Sequence, residues 1–261
     1  MITRIDSSGN LVKLIHTRDR TQVLFNTASQ PGRSPWAQIW KAQNILANLL
    51  RNLAFKKSLS QTYWKRYQEY GATPKGSFWL TKSRQNQRFE LILKAMPKLT
   101  QPHDITLADI GCGYGALAQY LAADQHFDHI AYSGYDISPD LIQECQTKYK
   151  NPRFKFALGT YPKVATNCVV MSGTYNLAAT RQLTVWEDYV IECLQKCWEK
   201  TIHTMIFNLQ VAPKAQIAHD CIYYAQARNI LDLCQKRFGP TKITSHPNLA
   251  HDATFCVTRS H

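Results

Sequence analysis

No Cys-x-x-Cys pair occurs among the eight cysteines, at 112, 145, 168, 193, 197, 221, 234 and 256. That excludes a zinc ribbon and a thioredoxin-like redox site. Most of these cysteines lie in apolar runs, where a free thiol behaves as a small hydrophobe. The first residues lack the apolar core of a signal peptide, and no apolar run reaches the length of a membrane span. A reducing cytoplasm and no membrane are expected. There is no internal repeat and no low-complexity tract. His126 and His129 fall in a predicted loop with nothing beside them to make a metal site, so no metal is expected. Acid is scarce at one end only. Residues 1–104 carry 17 Lys+Arg against 5 Asp+Glu, whereas 105–261 carry 14 against 13. The two parts therefore do different jobs. A basic face attracts nucleic acid, an anionic surface or a carboxylate substrate.

Residues 1–33 read as polar and irregular, with a mostly apolar stretch at Leu11–Ile15. Ser34-Pro35 is an N-cap followed by proline at the first helical position. Trp36, Ile39, Trp40, Ile45, Leu46, Leu49, Leu50 and Leu53 follow at helical spacing, and are expected to form a packed face or, failing that, a lid or partner surface. Tyr63, Trp64 and Tyr67 mark a second stretch, broken by Gly71, Pro74 and Gly76. A further helix covers about 85–96 and stops at Pro97. From Thr106 the pattern becomes strand–helix alternation, with strands at 106–110, 130–135, 154–158, 168–171 and 204–208. A helix near 223–238 precedes two closing strands, 243–245 and 254–257. The expected fold is α/β: a doubly wound, mostly parallel seven-stranded sheet with an antiparallel edge. The expected division is a basic, mostly helical cap over 1–104 and a ligand-binding domain over 105–261.

Ala108-Asp109-Ile110-Gly111-Cys112-Gly113-Tyr114-Gly115-Ala116 follows a strand and opens a helix. Glycines there permit a tight turn and close backbone approach to a ligand, and the helix N-terminus offers free N–H groups. Two ligands compete for such a turn. Gly111-x-Gly113-x-x-Ala116 also satisfies the nicotinamide-dinucleotide fingerprint, a weak signal alone. Three features favour S-adenosylmethionine. The glycines fall as GxGxG. Asp109 precedes Gly111 by two positions, where an anion sits badly against a pyrophosphate but suits an ammonium. Asp136 lies 21 residues after Gly115 at the end of a strand, the place for a carboxylate that accepts from both ribose hydroxyls.

This segment resembles motif I and post-motif I of the class I, Rossmann-like S-adenosylmethionine-dependent methyltransferases. The resemblance runs from about Trp64 to the C-terminus. A bacterial small-molecule and natural-product subgroup shares the flanking features: Tyr67-Gln68-Glu69-Tyr70-Gly71, Trp79, Gln85-Asn86-Gln87-Arg88-Phe89, Ser172-Gly173-Thr174-Tyr175-Asn176, Trp186, Phe207-Asn208 and His251-Asp252-Ala253-Thr254-Phe255. The resemblance implies Gly111, Gly113 and Gly115 under the methionine part of the cofactor. It implies Asp136 on the ribose, Ile137 on the adenine, Ser172 and Gly173 lining the site, and Arg88 paired with the cofactor carboxylate; S-adenosylhomocysteine would be the product. Two departures stand out. The third strand ends in Leu158-Gly159-Thr160 rather than an acidic residue, which leaves Thr160 or backbone to meet the adenine. The fourth strand lacks the Asn/Asp-Pro-Pro-aromatic tetrad of many base and amide N-methyltransferases.

Tyr175 and Asn176 are the expected acceptor contacts, and His251 the candidate to approach the cleft as a base. A carboxylate acceptor needs no base, being ionised at neutral pH. The expected activity is thus methyl transfer to a small molecule or peptide-like natural product, on oxygen, an acidic acceptor being suggested by the cap's charge. Three alternatives stay open: a nucleic-acid methyltransferase using the basic, aromatic stretch Lys56–Tyr67, a non-catalytic binding module on the same fold, and a nicotinamide oxidoreductase.

Overall fold

A computed structural model describes residues 2–5, 11–17, 20–25, 35–97 and 105–260. The chain divides into two compact units, Met1–Leu53 and Ala54–His261. Within the first, β1 (Ile2–Ile5), β2 (Leu11–Thr17) and β3 (Arg20–Phe25) form an antiparallel sheet in that order. Residues expected to be irregular are therefore partly strands. Backbone pairing between neighbours makes them, which a search for side-chain alternation passes over.

Helix α1 runs unbroken over Pro35–Tyr70, where two separate stretches were expected. The reason is local: neither glycine nor proline occurs between Pro35 and Gly71, so nothing interrupts it. Gly71, at φ +64°, stops it in the left-handed conformation, its N–H donating to the Tyr67 carbonyl at 2.6 Å. The apolar face expected to pack is open at Ile45, Leu46, Leu49, Leu50 and Leu53. Periodicity signals a face that favours cover, not that the same chain supplies it. The side chains of Trp36, Ile39 and Trp40 lie outside the described residues.

The second unit follows the expected alternation. After α2 (Lys82–Ala95) come β4 (Ile105–Ile110), α3 (Ala116–Ala122), β5 (Ile130–Asp136), α4 (Pro139–Lys148), β6 (Phe154–Leu158) and β7 (Thr166–Ser172). Then follow α5 (Leu183–Glu199), β8 (Thr201–Val211), β9 (Gln216–Ile217), β10 (Tyr223–Ala225), α6 (Ala227–Arg237), β11 (Thr241–Thr244) and β12 (Asp252–Thr258). The sheet order is β11-β12-β8-β7-β4-β5-β6. Strands β4 to β8 are mutually parallel, and β12 runs antiparallel to β8. His203, the residue before the strand expected at 204–208, lies inside β8, which begins at Thr201. The short β10 was expected to be helix. It pairs parallel with Gln210 and Val211 of β8 past the point where β7 ends, which holds Tyr223–Ala225 extended.

Alternation along the strands divides the core between the two faces. Val169, Met171, Met205, Phe207 and Leu209 pack with α5 and α6 on one face. Cys168, Val170 and Ile206 pack on the other with Phe89, Leu117 and Ile142 from α2, α3 and α4. Chain order reverses between β4 and β7, so the loops at their carboxyl ends splay apart and open a crevice there. Among the described residues no helix is long and apolar enough to cross a membrane.

Phe207 is fully buried at the centre of the sheet and stacks on Phe255 at 5.2 Å. Phe207→Ala is expected to lower the unfolding free energy by about 3–5 kcal/mol. Leu158→Ala, at a side chain that is already half exposed, is expected to stay within about 0.5 kcal/mol. Urea titrations of the two variants check both values.

Candidate active site

The turn after β4 is built from three glycines with positive φ: Gly111 (+74°), Gly113 (+56°) and Gly115 (+79°). Each is required for a different reason. A Cβ on Gly111 would meet the Thr174 side chain at 2.6 Å, and one on Gly115 would meet the Tyr149 ring at 2.8 Å. A Cβ on Gly113 would meet nothing within 4 Å, because this residue borders open space. The N–H groups of Gly111 and Cys112 both donate to the Tyr135 carbonyl, which holds the turn against the end of β5.

That end carries Asp136. Its Oδ2 accepts from the Gly113 N–H and its Oδ1 from the Ser138 N–H, each at 2.9 Å. Burial raises its pKa from the usual carboxylate range, and these backbone bonds oppose the shift. Asp109 sits deeper on β4, and the Tyr132 hydroxyl donates to its Oδ2 at 2.7 Å. Burial pushes its pKa up to about 7, with the nearby Asp136 charge adding to the rise and the tyrosine bond opposing it. Two carboxylates thus share one floor, and both are poorly hydrated.

A cleft of about 1030 Å³, counting its open mouth, lies over this floor. Asp109, Gly111, Gly113, Asp136, Ile137, Ser172, Gly173 and Tyr175 line it, which brings together eight of the residues singled out in the sequence. Gly159 and Thr160 line it too, at the position where an acidic residue is missing. The Ser172 Oγ is buried there with no hydrogen-bond partner. Gly115 stands back from the cleft, as the N-cap of α3.

Three expected residues are elsewhere. Arg88 is neither a surface cation nor part of the cleft lining. It is buried, its guanidinium is paired with the Asp252 carboxylate, and it lies 3.9 Å from the Trp79 ring centroid. Its partner on β12 takes the charge intended for a ligand. Asn176 is buried as scaffold: its Oδ1 accepts from the Gln210 N–H, and its carbonyl accepts from the Tyr223 N–H. His251 is exposed at φ +61° in the turn before β12, where its carbonyl accepts from the Val211 N–H. It is not among the residues that line the cleft. Tyr175 does line the cleft, but its hydroxyl is spent on the Met171 sulfur at 3.6 Å, and burial holds its proton.

Other walls were not read from the sequence. Leu59 and Tyr63 come from α1, Gly76 and Ser77 from a 3-10 turn at Pro74–Ser77, and Trp186, Tyr189 and Cys193 from α5. Spacing held a signal for both helices. Leu59 and Tyr63 are four apart, and Trp186, Tyr189 and Cys193 are three and then four apart, so each set shares a helix face. Trp64 stacks on Tyr67, whose ring lies near Tyr114 and whose hydroxyl bonds Glu144 of α4 at 3.3 Å. The last turns of α1 are thereby fastened over the glycine turn.

Residues 108–198 match the family model described as a methyltransferase domain. This match and the sheet order identify a methyltransferase domain of the class I, Rossmann-like type. The chain is 25% identical over 157 residues to Mycobacterium tuberculosis Rv1506c, a protein named as a methyltransferase; the match covers 59% of this chain and 93% of that one. Among solved structures, a Leishmania major S-adenosylmethionine-dependent methyltransferase aligns with a TM-score of 0.54 at 12% identity, covering 77% of this chain and 82% of its own. The DhpI complex with S-adenosylmethionine and HEP aligns at 0.52 and 10% identity, covering 78% and 97%. At such identities these two speak for the fold of the methyltransferase domain alone.

Two predictions follow from the geometry of the turn. Gly113→Ala is expected to cost only the left-handed strain, about 1–2 kcal/mol. Gly111→Ala is expected to cost more, since it also displaces Thr174, whose Oγ1 donates to the Ile110 carbonyl at 2.6 Å. Thermal midpoints of the two variants should rank accordingly. Asp109 has a folded pKa of about 7, above the roughly 3.9 of an unfolded aspartate. The folded state therefore holds the extra proton, and stability is expected to fall as pH rises from about 4 to 7. Asp136 contributes in the same direction. Asp109→Asn should flatten that decline in a pH series of melting curves.

Proposed function

We propose that the cleft binds S-adenosylmethionine and a small-molecule acceptor side by side and that the domain transfers a methyl group between them. The observation that carries this is the pairing of Gly113 with Asp136: a backbone with open space above it beside a buried carboxylate. Each Asp136 oxygen takes one N–H and keeps a lone pair to accept from a ribose hydroxyl. Ile137 packs against adenine, with Gly159 and Thr160 closing that side. Asp109 accepts from the ammonium of the methionine part. Ser172 offers a buried hydroxyl that still needs a partner. The residues present fit the cofactor. When bound, it supplies a methyl group already activated on a sulfonium. The protein's share is then positioning and exclusion of water. Leu59, Tyr63 and Trp79 wall the cleft for that purpose.

The apolar and aromatic walls beside the glycine turn suit a small acceptor next to the cofactor, as expected for a natural-product type of enzyme. Methylation on a carboxylate was expected from the charge of residues 1–104. The charges that line the cleft are Asp109 and Asp136, so that expectation finds no support at the site. The nucleic-acid reading loses its aromatic half. Tyr63, Trp64 and Tyr67 pack against the core of the second unit instead of presenting a base-stacking face.

Calorimetry with S-adenosylhomocysteine tests this reading directly: folded protein that gives no heat of binding defeats it. Asp136→Asn is expected to weaken that binding roughly ten- to a hundredfold, the value of one or two hydrogen bonds to a charged group. A retained circular dichroism spectrum would separate the loss from misfolding. Labelled-methyl transfer into a small-molecule extract of the source cells should accompany binding.

A further inference from the structure

The chemistry of the acceptor follows from what faces it. The charged side chains lining the cleft, among the described residues, are the carboxylates of Asp109 and Asp136. Arg88 stands behind Gly173, where its Nη1 comes within 2.9 Å of a Cβ built there, and its charge is matched by Asp252. The methyl donor brings an ammonium, a carboxylate and a sulfonium, one net positive charge. The loaded cleft is therefore negative or neutral, never positive. Its walls include the rings of Tyr63, Tyr175, Trp186 and Tyr189. Such rings favour a flat apolar body and attract a cation at their faces.

Proton removal points the same way. Among the tyrosines that line this space, Tyr63 and Tyr175 hold their protons more tightly than free tyrosine because they are buried. The Cys193 thiol is likewise raised, to about 11, by burial. His251 is outside the cleft. An alcohol or phenol acceptor must lose its proton as it attacks, and the carboxylates that could take it, Asp109 and Asp136, are already engaged by the ammonium and ribose of the donor. An ammonium yields its proton to water far more readily than an alcohol does, and the amine then attacks with its own lone pair.

We propose that the acceptor is an amine nitrogen on a flat, largely apolar small molecule, and that the reaction is N-methylation. This rests on the reading of the cleft as the site of methyl transfer. The acceptor enters as an ammonium and first gives one proton to water; the free-base nitrogen then forms the N–CH3 bond while the C–S bond breaks and its electron pair stays on sulfur. Positive charge passes from sulfur to nitrogen, and the N–H proton then leaves to water. Charge is thus conserved through the transfer, and the carboxylates of Asp109 and Asp136 stabilise it throughout. A carboxylate acceptor would instead be stripped of water beside two carboxylates, with its attraction to the sulfonium lost as the bond forms.

The test uses the full-length protein saturated with S-adenosylhomocysteine. Matched probes differing in one group are titrated in: phenethylamine against 3-phenylpropionate, and tryptamine against indole-3-propionate, read by ligand-observed NMR. The amines are expected to bind at least roughly tenfold more tightly than their acids. Equal or tighter binding of the acids overturns the proposal, and so does absence of amine binding at millimolar concentration. A second readout follows tritiated methyl label in an extract of the source cells. Label held on a cation exchanger and stable to mild alkali supports N-methylation; label released as methanol is an ester and overturns it. Failure of S-adenosylhomocysteine to bind at all would strike the earlier reading of the cleft, not the choice of acceptor.

Discussion

The carboxylate of Asp136 joins two loops that would otherwise be independent. One oxygen holds the N–H of Gly113 and the other that of Ser138, so the turn after β4 and the start of α4 share one anchor. The turn also hangs on the Tyr135 carbonyl one residue earlier. These bonds run between the carboxyl ends of neighbouring parallel strands, where backbone groups have outrun the sheet and need other partners. The glycines make the arrangement possible, since a side chain at 111 or 115 would collide with Thr174 or Tyr149. The cleft is what remains when the turn is held back in this way.

Burial of two acidic groups in one floor is unfavourable by itself. The fold accepts it because each is bonded: Asp109 to the Tyr132 hydroxyl, Asp136 to two backbone N–H groups. A third buried carboxylate, Asp252, is handled differently. It takes Arg88 on one oxygen and the Asn208 amide on the other, and this pair ties α2 to β12 and β8. Two anions are thus left facing the cleft while the nearest cation is committed behind it. That division of charge decides what the site attracts, and it opposes the impression given by the basic N-terminal part.

Much of the fold was legible in the sequence. The five parallel strands, the helices between them and the antiparallel closing pair follow from periodicity and breakers, which report on local backbone preference. The misreadings have physical causes. The strands of residues 2–25 are made by pairing with each other. The three residues of β10 are extended because β8 outruns β7. The Leu-rich face of α1 is periodic yet open. Of the site, the glycine turn, Asp109, Asp136, Ile137 and the Ser172-Gly173 turn were legible, because motif and strand end coincide. Arg88, Asn176 and His251 lie off the cleft lining, because each is held by a partner far along the chain: Asp252, Gln210 with Tyr223, and Val211.

The sequence alone determined that a glycine turn followed the first strand of a parallel sheet and that an acidic residue ended the second. Those are consequences of local spacing, since a strand puts its last residue at the sheet edge wherever the sheet lies. Only the tertiary structure decided which charges faced the ligand. Long-range packing set Asp252 against Arg88 and brought Tyr63 from α1 and Tyr189 from α5 to the same cleft. No local preference encodes the approach of side chains that distant in the chain.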